Sequence, residues 1–123
     1  GGFVDDHEGD EEMRPYVEAV RQGKGYVEDA TNWLFENGLK DPDAAAAVSM
    51  DFLYLFAYAS LAFAWGHMAK AALERRDDGD PFFTNKLATG RYFLDRVFPE
   101  ARMHLDKIKA GGEAMMALDA AAF

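Results

Sequence analysis

Residues 52–69 read FLYLFAYASLAFAWGHMA, a run without one formally charged side chain, closed by Asp51 and Lys70. Projected as a helix at about 100° per residue, Phe52, Phe56 and Phe63 fall on one side. Tyr54, Tyr58 and Trp65 fall nearly opposite. Leu55, Ala62, Gly66 and Ala69 fill one flank, and Leu53, Ala57, Ala64 and Ala71 fill the other. A surface helix keeps a polar arc, and this one keeps almost none. Two neighbouring helices cover roughly half to two-thirds of such a circumference. The remaining girth calls for a further layer: a short last helix in part, and another subunit or domain for the rest.

The run also reaches the ~18-residue length of a membrane span. It is read instead as the central helix of a bundle. Ala, which recurs through it, is only weakly apolar. The flanking sequence is ordinary charged, water-soluble sequence.

Outward from this run, two helix starts are written alike. Asp41-Pro42 and Asp80-Pro81 each place a capping carboxylate before a proline at the first helical position. Asn37-Gly38 marks the end of a preceding helix, and Asp77-Asp78-Gly79 a break before the next. These signals predict three long helices, over about 10–37, 42–76 and 81–110. A short apolar helix follows over 113–123.

On the first helix Met13, Val17, Val20, Val27, Ala30 and Leu34 share a face, flanked by Trp33. Pro15 limits where it can begin. Gly23 and Gly25 either admit a second backbone or mark a kink. On the third, Phe83, Leu87, Gly90, Leu94, Val97, Ala101, Leu105 and Ile108 step by three and four. Arg91, Asp95, Arg96, Arg102, Asp106, Lys107 and Lys109 take the wet side. Pro99 lies inside this helix and predicts a bend near Asp95, whose carbonyl loses its donor. Short connections make neighbours antiparallel. The fold class expected is all-α: an up-and-down helical bundle of three long helices plus a short C-terminal helix. It forms a single domain over residues 10–123. Residues 1–9 are an acidic, disordered lead-in or a leftover of expression.

Composition excludes several functions. The chain has 123 residues, half of them hydrophobic, and no cysteine. Disulfides, thiolate catalysis and cysteine-type zinc sites are ruled out. A net charge of −9 argues against nucleic acid, whose phosphates need a basic partner, and against an anionic membrane surface. Absence of cysteine and of an apolar leader suits a cytoplasmic location.

Candidate chemistry is sparse. His67 has no Asp or Glu three or four residues away, and is read as a buried histidine with one hydrogen-bond partner rather than a general base. Glu100 and His104 are spaced i, i+4, which suits one edge of a metal site. No histidine has the Glu-x-x-His spacing of a di-iron bundle, so they are read as a surface pair. Gly23-Lys24-Gly25 lacks the spacing of a phosphate loop. Lys86, Arg91, Arg96, Arg102, Lys107 and Lys109 are interspersed with acids and read as a solvated face rather than an anion grip. Tyr58, Trp65 and His67 form a candidate aromatic pocket, outweighed by core or interface packing. Ser49 and Ser60 have no base within helical reach. No catalytic, cofactor-binding or metal-ligating residue is assigned.

One resemblance adds to this. DPFFTNKLATGRYFLDRVFPEARMHLDKIKAGGEAMMAL, from Asp80 onward, resembles the C-terminal extension of one subgroup of acyl-CoA dehydrogenases. That subgroup includes enzymes resembling the 3-methylthiopropanoyl-CoA dehydrogenases. YLFAYASLAFAWGHMAKAAL resembles the preceding part of the extension. The match covers roughly 41–123 well and 10–40 more loosely, and rests on D-P-F-F with K-L-A-T-G-R-Y-F and a later M-A-L. It implies a fragment of a flavin enzyme that oxidises acyl-CoA to 2-enoyl-CoA. In that family a glutamate takes the α-proton and FAD accepts the β-hydride. Both belong to upstream domains, so no residue here is carried over. The implied partners are those upstream domains and a second copy through the central helix. A freestanding helical dimerisation module is the alternative that the apolar helix alone supports.

Overall fold

The computed structural model describes residues 11–38 and 42–111, and every regular element among them is helical. α1 (Arg14–Trp33) continues into a wide i→i+5 turn at Leu34–Gly38. α2 spans Pro42–Arg75 and closes in a tight turn at Arg76–Asp78. α3 (Pro81–Tyr92) and α4 (Glu100–Ala110) are the halves of one interrupted helix, joined through a second wide turn at Phe93–Val97. The acidic lead-in, the Asp41 cap and the short helix expected over 113–123 lie outside the described residues.

Cross-helix contacts give the directions. Arg76 Nη1 donates to Glu12 at 2.7 Å, and Gly23 lies against Ala59, so α1 and α2 are antiparallel. Asp51 reaches His104 and Tyr58 reaches Glu100, so α2 and α4 are antiparallel too. Tyr16 lies beside Gly90, Tyr26 beside Phe98 and Trp33 beside Gly111, so α1 runs parallel to α3 and α4. The up-down-up bundle is the one that the short connections predict.

Local chemistry explains the boundaries. Pro15 sits in the first turn of α1, which begins at Arg14 rather than near Asp10. Asp80 caps α3 as expected: its Oδ1 accepts from Phe82 N–H at 2.9 Å. Gly79, at φ +84°, takes the left-handed turn before it.

Pro99 interrupts the helix where the sequence places its bend. It has no N–H to offer Asp95, and the chain answers with a register change. Phe98 N–H donates to Phe93 C=O at 2.8 Å, five residues back. Pro99 then sits at the N-cap of α4. The wide turn carries both Phe93 and Phe98 into the core, with ring centroids 6.1 Å apart. Neither is on the predicted stripe. The stripe itself holds: Gly90, Ala101, Leu105 and Ile108 are buried, and Phe83, Leu87, Leu94 and Val97 are half-buried.

The central helix is covered on one half only. Val48, Leu55, Ala62 and Ala69, spaced by seven, are buried, with Gly66 and Ala72 beside them. The opposite flank of Leu53, Ala57, Ala64 and Ala71 is exposed. The core is a large cluster around Leu55, Phe93, Phe98 and Leu105, and a smaller one around Met13, Tyr16 and Ala69. Trp65 and Leu94 touch both.

Two glycines on α1 have separate roles. A Cβ on Gly23 would lie 3.1 Å from Ala59 Cβ and 3.2 Å from Ala59 Cα, so this glycine lets α1 and α2 close up. Gly25 has no such neighbour within 4 Å. Gly25→Ala is therefore expected to raise stability by about 0.5–1 kcal/mol through helix propensity alone. Gly90→Ala is expected to lower it by about 1–3 kcal/mol through overpacking, because the added methyl would meet the Tyr16 hydroxyl and lie 3.2 Å from Trp65 Cε3. Urea unfolding of the two variants checks the opposite signs.

Candidate functional site

Two features stand out: a polar cluster on the α2–α4 seam, and the bare half of α2. In the cluster, His104 is 8% exposed and its Nδ1 lies 2.9 Å from Asp51 Oδ1. A carboxylate only accepts, so Nδ1 carries the hydrogen and donates. The imidazole is stacked against Tyr54, centroids 5.1 Å apart, and against Tyr58, 5.7 Å apart. Tyr58 hydroxyl donates to Glu100 Oε2 at 2.5 Å.

Glu100 and His104 are thus not the surface pair that their spacing suggests. An i, i+4 pair shares one helix face, and this face is the one turned to α2, where each finds its own partner. A carboxylate-oriented imidazole is half of a general base. The serines considered as nucleophiles lie elsewhere. Ser49 Oγ donates to Ala46 C=O at 2.9 Å on its own helix, and Ser60 is on the bare half of α2. The cluster is a strut between helices.

The remaining candidates disperse. His67 is exposed, not buried, and meets Phe63 edge-on at 4.5 Å. The reason is its azimuth: it projects from the half of α2 that no helix covers. Trp65 turns inward, stacked with Phe93 at 6.2 Å and with Lys86 Nζ 5.1 Å above it. His67, two residues on from Trp65, points away from it, so Tyr58, Trp65 and His67 form no common pocket. Arg91 pairs with Asp95 at 3.4 Å, Arg102 with Asp106 at 3.1 Å and Lys109 with Asp29 at 2.6 Å. This is the solvated, self-paired face that the sequence implies. Among the described residues no group of three or more His, Cys, Asp or Glu is placed to hold a metal ion.

The bare half of α2 is a continuous apolar band. Met50, Leu53, Phe56, Leu61 and Phe63 are between 44% and 61% exposed. Isolated exposed apolar residues are ordinary, and a contiguous strip of them marks an interaction surface. By length and composition Ala45–Asp78 is also apolar enough to cross a membrane. Its inner half nonetheless packs on α1 and α4, whose outer faces are charged.

A family model described as "Acetyl-CoA dehydrogenase C-terminal like" matches residues 2–119. The chain belongs to this family. No curated protein matches it. The chain is thus a helical domain of the acyl-CoA dehydrogenase C-terminal type, as the coarser part of the resemblance implies.

In this C-terminal-like domain, sequence reasoning missed the Asp51–His104 link. In the sequence Asp51 marks only the end of an uncharged run. A lone carboxylate at the rim of a helix with a buried inner face needs a donor from another helix, and that signal was available. Tyr16 was missed as well: its hydroxyl is buried without a hydrogen-bond partner among the described residues.

Both Tyr16 and Tyr58 have their ionisation pushed above the ordinary tyrosine value. For Tyr58 the largest cause is its hydrogen bond to Glu100, and for Tyr16 it is burial. Raised folded-state values mean that the linked stability is present below the ordinary value and lost as pH rises through the folded one. In the Glu100→Ala domain, Tyr58 is expected to ionise at lower pH than in the parent, measured by NMR titration. Asp51→Ala is expected to cost about 1–3 kcal/mol, because it leaves a buried imidazole N–H unmatched. Asp51→Asn, which keeps an acceptor, should cost less. Urea denaturation separates the two.

Proposed function

We propose that this chain is the accessory helical layer of a flavin-dependent acyl-CoA dehydrogenase of the 3-methylthiopropanoyl-CoA dehydrogenase-like subgroup, working in the cytoplasm. Its task is packing and assembly. In the parent reaction, upstream domains supply the glutamate that takes the α-proton and the FAD that accepts the β-hydride. The product is the 2-enoyl-CoA. This chain contributes surface.

The bare apolar band of α2 carries the reading. A helix with half its apolar girth in water is out of place in a finished molecule, and an added helical domain or subunit would cover it. Support also comes from the polar groups. His104 and Glu100 are turned on Asp51 and Tyr58 rather than on a cavity, so we place neither flavin nor substrate among the described residues. A freestanding dimerisation module is the second reading, favoured by the same band taken alone.

The complete reading frame decides between them. It is expected to encode a flavin-binding dehydrogenase domain before this segment, and a frame without one sinks the first reading. The purified 123-residue chain is expected to be colourless and without dehydrogenase activity. A yellow preparation that releases FAD on denaturation would contradict the assignment.

A further inference from the structure

We infer that α2 pairs with α2 of a second copy of this chain, antiparallel, about a two-fold axis at Ser60. The inference rests on the assembly role proposed above and names the partner.

The bare band has a period. Exposed positions 46, 50, 53, 57, 60, 64, 67 and 71 advance by alternating steps of four and three. This spacing is that of one continuous helix face, along which a second helix can lie. Its centre is small: Ala57, Ser60 and Ala64 form a shallow trough, and Phe56 and Phe63 stand along one edge. Small residues at a seam let two helices approach closely, and large ones then need room opposite.

An antiparallel two-fold at Ser60 supplies that room. Residues whose numbers sum to 120 fall on one level. Phe56 then shares a level with Ala64 of the second copy, Phe63 with Ala57, and Leu53 with His67. Each level joins a larger side chain to a smaller or polar one. A parallel, in-register pair would set Phe56 against Phe56 and Ala57 against Ala57, crowding one level and leaving a gap at the next.

The helix dipoles favour the same arrangement, because antiparallel packing opposes them. Between Asp51 and Lys70 there is no formal charge to desolvate.

A lipid surface is the competing occupant, since α2 is apolar enough by composition. Fluid acyl chains gain nothing from matched levels. A net charge of −9 also sets the chain against anionic headgroups. The residue-by-residue fit belongs to another helix.

The chain has no cysteine, so introduced thiols report the register directly. Ser60→Cys places two thiols on the axis. Ala57→Cys places them six residues apart along it, about 9 Å, beyond the roughly 4.4–6.8 Å Cα separation of a disulfide. On mild oxidation of the 123-residue chain, Ser60→Cys is expected to form a covalent dimer roughly ten-fold faster than Ala57→Cys. A mixture of Leu53→Cys with His67→Cys is expected to cross-link where neither variant does alone. That mixture decides the matter if circular dichroism shows Ser60→Cys unfolded.

Equal rates at 57 and 60, or no cross-link in either arrangement, overturn the pairing. So does flotation of the chain with neutral phosphatidylcholine vesicles accompanied by loss of the Ser60→Cys dimer, which assigns the band to lipid. Each of these failures leaves the dehydrogenase reading standing, because the reading frame judges that separately.

Discussion

Everything in this domain follows from one mismatch: α2 is apolar around its whole girth, and the described chain supplies neighbours for only one half. Hydrophobic burial yields about 25 cal/mol per Å², and the inner half takes it fully, with Leu55 and Ala62 at 0% exposure. The outer half takes far less of it, with Met50, Leu53 and Phe56 more than half exposed. Leu53, two residues before Leu55 on the same helix, is 61% exposed. The difference between these two leucines is direction around the helix.

The inner half is built by specific devices. Gly23 lets α1 close on Ala59, and Gly90 makes room for the Tyr16 ring and Trp65. Pro99 removes one backbone donor, and the resulting wide turn swings Phe93 and Phe98 inward, where Phe93 meets Trp65 from α2. At the other end of the seam the Asp51–His104 and Tyr58–Glu100 bonds tie α2 to α4. Charge–charge contacts stay outside, where exposed pairs contribute little. These contacts fix α2 in rotation, and so fix which of its faces is left in water.

Much of this was legible in the sequence. The helix stops at Gly79 and Asp80, the limit set by Pro15, the Gly90–Ile108 stripe and the excess girth of α2 all follow from local rules. What was not legible depends on rotation and register. His67 lies in an apolar helix and His104 in a charged one, so sequence context buries the first and exposes the second. The structure reverses both, because only the choice of covered half decides. Phe93 and Phe98 are off the sequence stripe because a proline signals a lost donor without fixing the register through which the helix resumes. The family match covers residues 2–119.

On the proposed reading, an acetyl-CoA dehydrogenase C-terminal like domain of this build is a layer with one finished side. The solution mass of the chain tests that claim most directly. Sedimentation equilibrium is expected to give a mass above the 13.7 kDa of one chain, rising with concentration towards the dimer. A constant mass of 13.7 kDa across the accessible range, in a folded and soluble chain, would mean that the bare half of α2 is content in water, and would contradict the account.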